Sequence, residues 1–175
     1  MEFKIKNLEN YPNISVIIPT YNGAKTIGKV LESIFSQKYD GSIEIIVVND
    51  HSTDNTLEVV KQHTVTVVNN EVNLGLAKSV NKGVKEAKYS ITCIIHEDIV
   101  LADTEWFKKL VPHLMEDDVG VVSSPVILPK EIYESRGFWE KALFYWEPKE
   151  NYENSVKICT DGYNEFKNVI FKKDI

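Results

Sequence analysis

The chain has 175 residues, 43% of them hydrophobic, which suits one globular domain with a real core. Its formal net charge of -6 and pI of about 5.3, with no basic block, argue against a nucleic-acid partner. No apolar run approaches the roughly 18 residues that span a bilayer, residues 1–10 lack a signal-peptide core, and two distant cysteines, Cys93 and Cys159, fit a reducing compartment; a cytoplasmic chain is expected, with peripheral association at the inner face of a membrane left open.

Residues 1–12 form a polar lead-in. Residues 14–18 are apolar and β-branched and predict a first strand, which Pro19 is expected to end because it has no N–H for the ladder. Ile27, Val30, Leu31, Ile34 and Phe35 then recur at helical spacing within residues 24–37. Asp40-Gly41 marks a turn before a second apolar run at 43–48, the kind of run a parallel strand covered on both faces carries. Ser52, Thr53 or Asp54 caps a helix reaching about residue 63, and a short third strand follows at 64–68.

Residues 76–87 read as a helix with Leu76, Val80, Val84 and Ala87 inward; Gly83 inside it points to close packing. A fourth strand covers 90–95. A helix over 104–116 presents Trp106, Phe107, Leu110, Leu114 and Met115, and a fifth strand covers 119–123. The β-α alternation predicts an α/β fold, a mostly parallel open sheet with helices on both faces. After Pro125 the rhythm changes to an aromatic segment at 131–152, followed by strand-like runs at 156–159 and 166–171.

Three predicted strand ends are polar: Thr20-Tyr21-Asn22, Asn49-Asp50 and His96-Glu97-Asp98. In an open parallel sheet, ligands bind at that edge. Tyr21 offers a ring for stacking on a base, and Asp50 an acceptor for a base or ribose donor. Asp98, with Glu97 or His96, is placed to hold a divalent cation against a diphosphate, and hard oxygen ligands suit Mg²⁺ or Mn²⁺. Singly, each group has a plainer reading. Tyr21-Asn22-Gly23 also reads as a turn, Asp50 and Asp54 as helix caps, and His96-Glu97-Asp98 as a solvated loop. Their coincidence at one edge favours a site. No glycine-rich dinucleotide fingerprint, P-loop or Gly-x-Ser-x-Gly elbow is present.

At these residues the chain resembles the family 2 glycosyltransferases of the Rossmann-like GT-A fold. Ser15-Val-Ile-Ile-Pro-Thr-Tyr-Asn-Gly23 is similar to that family's opening strand and loop. Glu44-Ile-Ile-Val-Val-Asn-Asp-His-Ser-Thr-Asp54 is similar to its second strand, with Asn49 in place of a common aspartate. Asn73-Leu-Gly-Leu-Ala-Lys-Ser-Val-Asn-Lys-Gly83 resembles its Asn-x-Gly helix. The resemblance covers residues 13–123. It implies a nucleotide-diphospho-sugar-binding domain at 13–125, with 126–175 opening an acceptor-side subdomain that is truncated here.

It further implies that Pro19, Thr20, Tyr21, Asn22 and Asp50 line the nucleotide pocket, with Lys78 and Asn81 facing the donor. His96-Glu97-Asp98 stands where the family carries Asp-x-Asp, its metal motif, with Asp98 matching the second aspartate and His96 departing from the first. The reaction implied is metal-assisted sugar transfer, with inversion, to a saccharide or lipid-linked acceptor, as in surface-polysaccharide biosynthesis. No residue matches the family's general base; Asp161, Glu165 and Asp174 are acidic but out of place. The alternative is a non-catalytic nucleotide-sugar-binding or partner-binding module of the same fold.

Overall fold

The computed structural model describes residues 8–101, 103–124 and 168–173. The aromatic segment, the strand expected at 156–159, Cys159, Asp161, Glu165 and Asp174 lie outside the described residues.

Four parallel strands form the centre: β1 (Ile14–Thr20), β2 (Ile43–Asn49), β3 (Thr66–Asn69) and β4 (Ile91–Ile95). Between them run α1 (Ile27–Phe35), α2 (Thr56–Val60) and α3 (Leu76–Glu86). α4 (Trp106–Leu114) leads to β5 (Val121–Ser123), and β6 (Asn168–Lys172) completes a six-stranded sheet of order β3-β2-β1-β4-β6-β5. β6 runs antiparallel to both neighbours. It comes from the segment expected to open a second subdomain, yet it lies inside this sheet.

β1 is buried along its whole length, and its apolar side chains alternate between two cores with the two-residue period of a strand. Ile14, Val16 and Ile18 of β1 share a core with Ile27, Val30, Leu31 and Ile34 of α1 and with Phe107, Leu110 and Leu114 of α4. Ile17, Ile46 and Val48 face the other way, toward Ala87 and Val84 at the end of α3. Helices therefore cover both faces, and each fully buried Ile or Leu contributes about 1.5–3 kcal/mol.

Several boundaries differ from expectation. β1 continues through Pro19 to Thr20, paired with Val48 and Asn49. The Thr20 carbonyl accepts the Asp50 N–H on the β2 side, so Pro19's missing donor faces β4. The β4 register already ends at Ile17↔Ile94, and the proline breaks no ladder bond. Phe35 does not join the core; it is half exposed and stacks on His63. In α3, Leu76 is exposed and the buried positions are Ser79 and Gly83. A Cβ on Gly83 would lie 2.5 Å from Ile17 Cγ2 and 2.9 Å from Val48 Cγ2, so only a residue without a side chain lets α3 sit this close to the sheet. Among the described residues, no helix is long and apolar enough to cross a membrane.

Candidate functional site

The chain runs outward from β1 to β2 and β3, then returns to β4 on the other side of β1. This reversal opens a crevice beyond the C-terminal ends of β1 and β4, the usual ligand position in such sheets. A cleft of about 530 Å³ occupies it. Pro19, Thr20, Tyr21, Asn22, Asp50, His96, Glu97 and Asp98 all line it. Lys78 and Asn81 do not: both are exposed on α3 and absent from the wall. Ser79 and Leu76 stand there instead, with Gly23, Lys25 and Thr26 from the loop after β1. The shift follows from the rotation of α3, which its small buried residues set and which the pattern of large apolar residues does not reveal.

The wall is built from strand ends tied to one another. The loop after β1 takes a left-handed turn at Asn22 (φ 57°), a conformation asparagine tolerates. Asn22 N–H donates to Ser52 Oγ at 3.0 Å, and Asn22 Oδ1 accepts from Thr53 N–H at 2.8 Å. Asp54 accepts from Thr56 N–H at 3.0 Å and Ala24 N–H at 3.2 Å, so it anchors the start of α2 and the loop after β1 together. Tyr21 is left 46% exposed beside the cleft.

Asp50 is 4% exposed, and its carboxylate is held by its own chain. Oδ1 accepts from Asn70 Nδ2 at 2.7 Å and Leu74 N–H at 2.8 Å; Oδ2 accepts from Gly75 N–H at 2.8 Å. Burial pushes this carboxyl upward. The bonds from Leu74, Asn70, Gly75 and Ser79 outweigh it and hold the group below the ordinary carboxylate value. Lys82 Nζ fixes Asn70 in turn, bonding its Oδ1 at 2.9 Å and the Asn69 carbonyl at 2.8 Å. Asp50 thus fastens the loop that leads into α3 as well as facing the cleft.

At the β4 end Asp98 and Glu97 differ. Asp98 is exposed at the cleft. Glu97 Oε2 accepts from Tyr21 N–H at 2.8 Å. Burial raises the Glu97 carboxyl above its ordinary value, opposed by the Thr20 hydroxyl and the Tyr21 N–H and reinforced by the Asp98 and Asp54 charges. Among the described residues, no three His, Cys, Asp or Glu side chains converge as a metal cage. The donor set fits the looser kind of site, in which a hard divalent ion takes one or two carboxylates and completes its shell from phosphate oxygens and water. A diphosphate entering beside Asp98 and Glu97 meets negative charge, which such an ion would offset.

Comparison with known proteins agrees with this architecture. The model of the family "Glycosyl transferase family 2" matches residues 15–174. A protein described as an uncharacterized glycosyltransferase of Haemophilus influenzae is 30% identical over 95% of this chain and 57% of its own length. A poly-beta-1,6-N-acetyl-D-glucosamine synthase of Staphylococcus epidermidis is 33% identical over 63% of this chain and 27% of its own. Among solved structures, the mannosyltransferase PcManGT from Pyrobaculum calidifontis, in complex with GDP-Man and Mn2+, superposes with a TM-score of 0.65. It is 30% identical, covering 72% of this chain and 39% of that one. The chain therefore spans between about a quarter and three fifths of the length of these relatives.

Proposed function

The chain belongs to glycosyl transferase family 2, and from that premise we propose that its cleft binds the nucleotide-diphosphate end of a sugar donor, for transfer of the sugar to a saccharide or lipid-linked acceptor. The observation that carries this is the meeting of three polar strand ends at one crevice, with an exposed aromatic ring at one side and an exposed carboxylate at the other. The mannosyltransferase that superposes on this chain holds GDP-Man and Mn2+, which supports the same ligand class here.

Tyr21 provides the face on which the base stacks, and the Asp50 side of the cleft receives its polar edge. Asp98 would hold Mg²⁺ or Mn²⁺ together with the donor's phosphates. Such an ion supplies Lewis-acid stabilisation of the charge on a departing diphosphate. In the proposed reaction an acceptor hydroxyl attacks the anomeric carbon and gives up its proton to a base or to solvent, the bond to the diphosphate breaks with its electron pair leaving on the diphosphate oxygen, and the configuration inverts. The residues of this cleft carry the donor's binding and orientation.

Calorimetric titration with UDP-, GDP- and dTDP-sugars, with and without Mn²⁺, tests the reading. At least one donor is expected to bind the unaltered chain. Tyr21→Ala is expected to weaken it about tenfold, the scale of one base–aromatic stack. Mn²⁺ alone is expected to bind poorly, because most of its shell would come from the donor. Failure of every donor to bind sinks the proposal; tight Mn²⁺ binding without nucleotide contradicts the shared-shell metal site.

A further inference from the structure

We propose that Glu97 is a positioning residue that fastens the loop after β1 across the crevice between β1 and β4, and so sets where the Tyr21 ring stands in the cleft. This rests on the donor-binding reading above and adds the group that holds its base-side wall.

The ladder between β1 and β4 ends at Ile17↔Ile94, three residues before β1 itself ends. Beyond that point the hydrogen bond from Tyr21 N–H to Glu97 Oε2, at 2.8 Å, joins the two sides of the opening. Two further N–H groups of the loop turn the opposite way: Asn22 donates to Ser52 and Ala24 to Asp54, both beyond β2. The loop is thus held from the β2 side at Asn22 and Ala24, and from the β4 side at Tyr21.

Gly23 shows the space kept for this contact. A Cβ there would lie 2.6 Å from Glu97 Oε2 and 2.7 Å from Thr20 Oγ1. Gly23 is not among the residues with positive φ, so backbone conformation does not call for glycine at this position. The Glu97 carboxylate fills the place its side chain would take. A ring fixed before the ligand arrives loses less freedom on binding, so the bond favours affinity without touching the ligand. Within His96-Glu97-Asp98, the middle residue then serves the Tyr21 loop while Asp98 faces the cleft.

Glu97→Gln retains an oxygen that accepts the Tyr21 N–H and removes the charge; Glu97→Ala removes both. The first readout is amide hydrogen exchange at Tyr21 in the whole chain without ligand. Protection is expected in the unaltered protein and in Glu97→Gln, and exchange about tenfold faster in Glu97→Ala, with Val16 and Ile18 unchanged. Equal exchange at Tyr21 in all three overturns the proposal. Gly23→Ala is expected to speed Tyr21 exchange when Glu97 is present and to add little in the Glu97→Ala background.

The second readout is calorimetry with UDP and GDP in EDTA. The nucleotide that binds is expected to bind Glu97→Ala about tenfold more weakly than Glu97→Gln, two variants that both lack the charge. If the two variants bind equally in EDTA and both lose the gain given by Mn²⁺, Glu97 is a metal ligand and the positioning role is wrong. If the unaltered chain binds no UDP, GDP or dTDP donor with or without Mn²⁺, the donor reading fails, and the exchange data separately decide whether Glu97 holds the loop.

Discussion

At the scale of single residues, Asp50 and Gly83 show how the cleft depends on its supports. The depressed Asp50 carboxyl contributes stability that is complete above its ordinary value of 3.8 and is lost as pH falls through the lower folded-state value. Glu97 acts in the opposite sense. Its raised folded-state value favours the fold below its ordinary 4.5, and that advantage fades as pH rises through the folded value. We expect the stability difference between the unaltered chain and Asp50→Asn to be flat from about pH 5 to about pH 7 and to shrink below the ordinary carboxylate range. Urea unfolding across that span checks this, and a difference that ignores pH would show that the charge of Asp50 is not what holds the Leu74–Gly75 backbone. Gly83→Ala is expected to cost about 1–3 kcal/mol, because its methyl meets Ile17 and Val48 on two central strands. An unchanged melting temperature would mean that α3 can back away from the sheet.

Among the elements, α3 marks where the sequence was least legible. The runs at 14–18, 43–48 and 90–95 revealed three strands because buried parallel strands are apolar on nearly every residue. α1 and α4 declared their inner faces through Ile27, Val30, Leu31, Phe107 and Leu110. α3 hid its inner face because close approach requires small residues there, Ser79 and Gly83; the glycine signalled tight packing but not which neighbours turn inward. That rotation brings Leu76 to the cleft and leaves Lys78 and Asn81 outside it. Leu76→Ala is accordingly expected to change stability by no more than about 0.5 kcal/mol while weakening nucleotide binding. Lys78→Ala and Asn81→Ala are expected to leave binding unchanged. Thermal melts with calorimetry on the three variants decide between this wall and the one the family resemblance implies.

For the molecule as a whole, the parallel order of β3, β2, β1 and β4 followed from the β-α rhythm, and with it the edge at which Tyr21, Asp50 and Asp98 meet. The place of β6 did not, because Asn168–Lys172 joins the sheet between β4 and β5 through partners far away in sequence. Local pattern carries no record of such pairing. The tie from Tyr21 to Glu97 was hidden for the same reason: 76 residues separate the two. The proposed nucleotide site is the crevice between β1 and β4. Amide chemical-shift mapping during titration with UDP and GDP tests it most directly. Saturable shifts are expected from at least one nucleotide, concentrated at Thr20, Tyr21, Asp50, Ser79 and Asp98. No saturable shift from either nucleotide, or shifts confined to residues away from these strand ends, would contradict it.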